Sequence, residues 1–163
     1  PACVVGVVMG SDSDLPVMQR CLETLESFGI GYEVRIISAH RTPQIAHEYA
    51  TTAAARGLKV LIAAAGMSAA LGGVLAAGTT LPVIGVPMAS GPLAGVDAAL
   101  STMQMPPGVP VACMAIDQAG ATNAGIFAAQ ILAVADKAIA ARLVEFKKDQ
   151  ARKVVEKDQA LRR

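Results

Sequence analysis

An α/β fold, with a parallel sheet wrapped by helices on both faces in three layers, is what this sequence of 163 residues predicts, and three observations carry the prediction. Short aliphatic runs alternate with segments of helical period along the chain. The runs are apolar at consecutive positions, as strands buried on both faces of a parallel sheet are. The connections are short, and three of those that leave a strand are polar or glycine-rich. At this length the chain forms one domain, residues 1–163, with a core over about residues 1–135 and a charged helical tail over about 136–163.

Each element has its own signal. The run Val4-Val5-Gly6-Val7-Val8-Met9 reads as the first strand, and Gly10 permits a sharp exit from it. Ser11, Asp12, Ser13 and Asp14 are all good caps for a helix that begins near Leu15 and carries Val17, Met18, Cys21, Leu22 and Leu25 on one face until Gly29 stops it. Residues 32–37 read as the second strand. Ser38-Ala39-His40-Arg41-Thr42-Pro43 is a polar turn, with Thr42 as N-cap and Pro43 in the first turn of a helix running to about Arg56. Residues 60–65 read as the third strand, followed by the small-residue turn Gly66-Met67-Ser68-Ala69-Ala70-Leu71-Gly72-Gly73, which opens a short helix. Residues 82–86 are a fourth strand, 87–95 a loop, 96–103 a helix, 109–116 a fifth strand, and a long helical pattern starts at Thr122. In the last nineteen residues eleven are charged, with Val154, Val155 and Leu161 leaving a thin apolar stripe on a solvated helix.

Composition excludes several classes. With no Trp, two Tyr, three Phe and a formal net charge of +1, the chain lacks the stacking aromatics and the basic surface of a nucleic-acid binder. From Val60 to Ala135 only Asp97 and Asp117 are charged. Pro82, Pro87, Pro92 and frequent glycines interrupt that stretch too often for a membrane span, so contact between subunits is the expected cover for it. Cys3, Cys21 and Cys113 have no metal-type spacing and read as free thiols of a cytoplasmic protein. The start of the sequence has no basic segment of a signal peptide.

In a doubly wound sheet the turns after the strands lie on one rim, where ligands bind. That rim gathers 10–14, 38–43 and 66–73. The first turn is a candidate anion site, a helix start lined by small hydroxyls, and it also reads as a plain cap. An imidazole ordinarily titrates near neutrality, so His40 is a candidate acid/base, or else a histidine bonded to its loop. Arg41 suits a phosphate or a surface ion pair, and Asp14 a ribose hydroxyl or a cap. His47, on a helix beside Glu48, reads as a surface residue. No metal cluster, Walker loop, dinucleotide fingerprint or hydrolase elbow is present in the sequence. A small phosphorylated substrate, one acid/base and no cofactor remain.

These turns resemble the PurE family of purine biosynthesis, the enzymes that make 4-carboxy-5-aminoimidazole ribonucleotide (CAIR). The resemblance rests on Met9-Gly10-Ser11-Asp12-Ser13-Asp14, Ser38-Ala39-His40-Arg41-Thr42-Pro43 and Leu81-Pro82-Val83-Ile84-Gly85-Val86-Pro87, and continues through Gly95-Val96-Asp97, Gln104-Met105-Pro106 and Asn123-Ala124. It implies a flavodoxin-like fold, a homo-octamer with sites between subunits, and no metal or organic cofactor. It also implies that Ser11, Asp14 and Arg41 hold the ribose phosphate, with Gly10, Ser13, Ser38 and Ala39 close by, and that His40 is the acid/base. Gly66, Ser68, Ala70 and Leu71 complete the substrate-binding set. The mutase branch of the family has Gly-Gly-Ala-Ala-His-Leu-Pro-Gly in the third turn. Here its histidine is Ala70 and its proline Gly72, and the pattern Gly-x-Ser-x-x-Leu-Gly looks like the branch that uses carbon dioxide. Direct carboxylation of 5-aminoimidazole ribonucleotide (AIR) is therefore expected, with N5-CAIR mutase as the alternative. A non-catalytic phosphate-binding module on the same scaffold is the rival from another class.

Overall fold

The computed structural model describes residues 1–162. Five parallel strands, β1 (Cys3–Met9), β2 (Gly31–Ile36), β3 (Val60–Gly66), β4 (Val83–Met88) and β5 (Ala112–Cys113), form one sheet in the order β2-β1-β3-β4-β5. This is the flavodoxin-like order, which reverses direction beside β1 and opens a crevice there at the carboxyl ends of the strands.

Strand periodicity sorts the core into two layers. Val5, Val7 and Met9 of β1 point to one face. There they pack with Met18, Cys21 and Leu25 of α1 (Leu15–Ser27) and with Ala121, Ala124 and Ala128 of α5 (Asp117–Ala133). Val8 points to the other face, against Ala46, Tyr49 and Ala50 of α2 (Pro43–Ala53) and Leu71 and Leu75 of α3 (Leu71–Ala77). Each fully buried aliphatic side chain of Leu or Val size contributes about 1.5–3 kcal/mol to holding these layers together. α4 (Val96–Met103) covers the same face as α2 and α3, where Gly85 of β4 leaves space for Thr102. A Cβ on Gly6 would collide with the Tyr49 hydroxyl. That hydroxyl lies against β1 to donate 2.7 Å to Glu33, which also accepts from Arg56 at 2.8 Å. Burial pushes the Glu33 carboxyl up, but the two hydrogen bonds outweigh it and hold the group below the usual carboxylate range.

The sequence expectations need four adjustments. β4 continues through Pro87 and Met88, paired with Ala65 and Gly66, because β5 no longer runs along that part of its outer edge and a proline is tolerated there. β5 is two residues long, not eight: Pro110 supplies no N–H, and after Met114 N donates to Gly85 O the chain leaves the sheet. The final helical pattern starts at Asp117, not Thr122, and is two helices. The chain breaks at 134–136, and Asp136 restarts it by accepting from Ala138 N and Ile139 N, which begins α6 (Lys137–Leu161). The caps also differ. Ser11 caps a short 3-10 turn, Asp12–Asp14, that feeds α1, and the Thr42 hydroxyl binds the Ser38 backbone instead of capping α2.

α6 docks only by its start. Ile139, Leu143 and Phe146 reach the core, Phe146 stacks edge-to-face on Phe28 at 5.5 Å, and Arg142 donates to the Phe28 carbonyl at the end of α1. Beyond Gln150 its described residues are exposed. No helix among the described residues is long and apolar enough to cross a membrane.

Candidate active site

The crevice beside β1 is a cavity of about 280 Å³. Every residue that the sequence singled out for catalysis or binding lines it. Gly10, at the end of β1, donates its N–H to the Ala64 carbonyl, which brings the first turn against β3. Ser11 and Ser13 share a hydrogen bond of 2.9 Å, and Ser11 Oγ accepts from Ser13 N, so both hydroxyls converge where the 3-10 turn leads into α1. Asp14 is buried at 8% exposure, whereas Asp12 faces solvent. Burial pushes the Asp14 carboxyl above its ordinary value, a hydrogen bond from the Ser11 backbone opposes this, and the charges of Asp117 and Asp12 add to it.

The second wall is the Ser38–Thr42 turn, which is closed by its own hydrogen bonds. Thr42 N donates to Ser38 O at 2.8 Å, Arg41 N donates to Ser38 Oγ at 3.1 Å, and the Thr42 hydroxyl donates to Ser38 O at 2.9 Å. His40 stands exposed at the apex of this loop with Ala39 below it, and Arg41 lies where the cavity meets a neighbouring groove along Ile36 and Thr42. His47 is exposed on α2 and does not line the cavity.

The third turn forms the far wall, with Gly66, Ser68, Ala70 and Leu71 on the cavity. Ser101 of α4 accepts from Ala69 N at 3.0 Å and pins the turn from behind. Sequence reasoning passed over three lining residues, Ala65, Met67 and Ser90. Ser90 follows β4, and the signal for it was available, because a fourth strand of the same sheet must deliver its exit to the same rim. Reading residues 87–95 as an undifferentiated loop hid it.

A flavodoxin-like sheet with a hydroxyl-lined helix start, an arginine and a histidine in one crevice has the chemistry to hold a small phosphorylated ligand beside a group able to transfer a proton. The chain belongs to the AIR carboxylase family, whose profile matches residues 4–153. It is 50% identical over 151 residues to the N5-carboxyaminoimidazole ribonucleotide mutase of Vibrio parahaemolyticus, covering 93% of this chain and 94% of that one. It is 53% identical to the protein of the same name from Thermotoga maritima, covering 96% and 91%, and 49% identical to that of Bacillus subtilis, covering 97% and 98%. The crystal structure of Treponema denticola PurE superposes with a TM-score of 0.88 at 32% identity, over 98% of this chain and 99% of that one. These relatives weigh against one expectation. The preference for the carbon dioxide-using branch rested on a single turn, while relatives at about half identity over nearly the whole chain carry the mutase name.

Proposed function

We propose that this chain converts N5-CAIR to CAIR in purine biosynthesis, with the crevice as its active site. The observation that carries the reading is the convergence of the three turns on one cavity, in a chain whose relatives at about half identity bear the mutase name. Ser11, Arg41 and the start of α1 take the phosphate, with Gly10, Ser13, Ser38 and Ala39 around it, and Asp14 takes a ribose hydroxyl. The imidazole then reaches toward Gly66, Ser68, Ala70 and Leu71. His40 gives a proton to N5 as the carbamate C–N bond breaks and carbon dioxide is released. The aminoimidazole C4 attacks that carbon dioxide as an enamine would, and His40 takes the C4 proton back, so the protonation cycle closes. The third turn, small and uncharged, leaves room for the carbon dioxide beside C4.

A second reading, direct carboxylation of AIR by free carbon dioxide, is favoured by Ala70, which offers a carbamate neither a charge nor a hydrogen bond. Supplying N5-CAIR, and separately AIR with bicarbonate, decides between them. The mutase reading expects efficient turnover of the carbamate and little from AIR at modest bicarbonate. The reverse result replaces it with the carboxylase, and no turnover of either leaves a binding module. The apolar side chains exposed on and beside α4, namely Leu93, Val96, Leu100 and Met103, each more than half exposed, are the surface assigned to further copies of the chain, the count of eight being what the family resemblance implies. Light scattering that gives about one chain mass, 16.6 kDa, overturns that assignment.

A further inference from the structure

The far wall of the cavity is strained. Among the described residues, the non-glycine residues with left-handed backbone are Met67 (φ 55), Ala94 (φ 50) and Asp117 (φ 58). All three lie at the carboxyl rim beside β3, β4 and the start of α5, and Gly91 and Gly95 between them are left-handed as well. Such conformations persist only where surrounding structure holds them, and they concentrate at functional sites.

Asp117 is one of the two charged residues between Val60 and Ala135, and the mechanism above gives it no role. Its twisted backbone opens α5 and turns its carboxylate onto the exit of β4, where Oδ1 accepts the Ala89 N–H at 2.7 Å. The next residue is Ser90, whose N–H donates to Met88 O at 2.9 Å. The Ser90 hydroxyl lies so close over Gly66 that a Cβ there would fall on it, and it lines the cavity next to Gly66 and Met67. Gly95 packs against Ala89 of this segment and against Ile116, the residue before Asp117.

We propose that Ser90 contacts the substrate from the β4 side of the cavity and that Asp117 is the positioning residue that holds it there. The inference rests on the reading of the crevice as the ribonucleotide site. The phosphate and ribose groups lie on the β1 and β2 turns, so Ser90 meets the reacting end of the ligand, between Gly66 and the carbon dioxide in transit. A hydroxyl there stabilises the developing carboxylate more than it stabilises the bound ground state.

Four proteins test this with the better ribonucleotide substrate: wild type, Ser90→Ala, Asp117→Gly and Asp117→Asn. Glycine keeps the left-handed backbone and removes the acceptor, while asparagine keeps both, because it also tolerates that conformation. Ser90→Ala and Asp117→Gly are each expected to lower kcat about three- to tenfold, the range of one neutral hydrogen bond, with KM nearly unchanged. Asp117→Asn restores kcat. The double variant Ser90→Ala/Asp117→Gly is no slower than either single one, since both remove the same contact. Hydrogen exchange in the peptide carrying Ala89 rises in Asp117→Gly and not in Asp117→Asn, a readout that needs no turnover. Wild-type kcat in Ser90→Ala or Asp117→Gly, losses that multiply in the double variant, or unchanged exchange in Asp117→Gly overturns the inference alone. Absence of wild-type turnover with either ribonucleotide overturns the reading of the site and this inference with it.

Discussion

On the β1–β2 side of the cavity the chain places a histidine, an arginine, a buried carboxylate and three serines, on turns closed by their own hydrogen bonds. On the β3–β4 side it places small or apolar residues and two serines, on turns with left-handed backbone at Met67 and Gly91 that are held by outside contacts from Ser101 and Asp117. Charge on the first wall suits it to grip a phosphorylated ligand and move a proton. The second wall is small and uncharged, which suits it to the neutral end of such a ligand. The difference also explains why the two walls bear differently on the chemistry. The first is common ground between mutase and carboxylase, while the turn that separates the branches lies on the second.

Substitutions on the charged wall are expected to have the larger effects. His40→Asn should bind ribonucleotide as before and lose at least about a hundredfold in turnover, the low end for an acid/base group. A comparable loss in His47→Asn, on the exposed face of α2, would break the contrast between cavity and surface histidines. Arg41→Ala comes next, weakening ribonucleotide binding by about 1.5–3 kcal/mol, the range of a charge-assisted hydrogen bond. Calorimetry that finds the affinity unchanged would move the phosphate off this wall.

The smallest effect falls on stability and has the opposite sign. The Asp14 carboxyl is raised in the fold, mainly by burial, so its contribution is fully present below the ordinary value of 3.8 and is lost as pH rises through the raised value. Above that raised value the ionised group destabilises the fold. Asp14→Asn should therefore melt a few °C above wild type at pH 7, with the gap closing below about pH 4, while binding falls. Identical melting curves at both pH values would show that the burial costs nothing.

The charged wall was legible in the sequence because its signals are local. Hydroxyls and carboxylates directly after an aliphatic run, and His40-Arg41 directly before Thr42-Pro43, announce themselves within six residues. The β3–β4 wall was half legible. Gly66, Ser68, Ala70 and Leu71 follow a strand and were found, but Ser90 lies beyond Pro87, which reads as a strand stop and is not one in this sheet. The shortness of β5 had a signal in Pro110, which supplies no N–H, and the restart after the break at 134–136 had one in the cap residue Asp136. Both were hidden by apolar patterns that continue on either side. The weight placed on the carbon dioxide-using branch has a related origin: one substituted turn counted for more in a single sequence than the rest of the chain did.

The two margins of the sheet bear on how so apolar a chain, 53% hydrophobic, stays dispersed while it folds. An outer strand that is long, flat and greasy recruits strands from other molecules and seeds aggregates. Here β5 offers two residues, preceded by Pro106, Pro107 and Pro110, and at the opposite margin β2 carries Glu33 and Arg35. Neither border is a good template for an incoming strand. Resistance to clumping is thus built into the selvedges of the sheet, and it leaves the helical faces free to stay apolar.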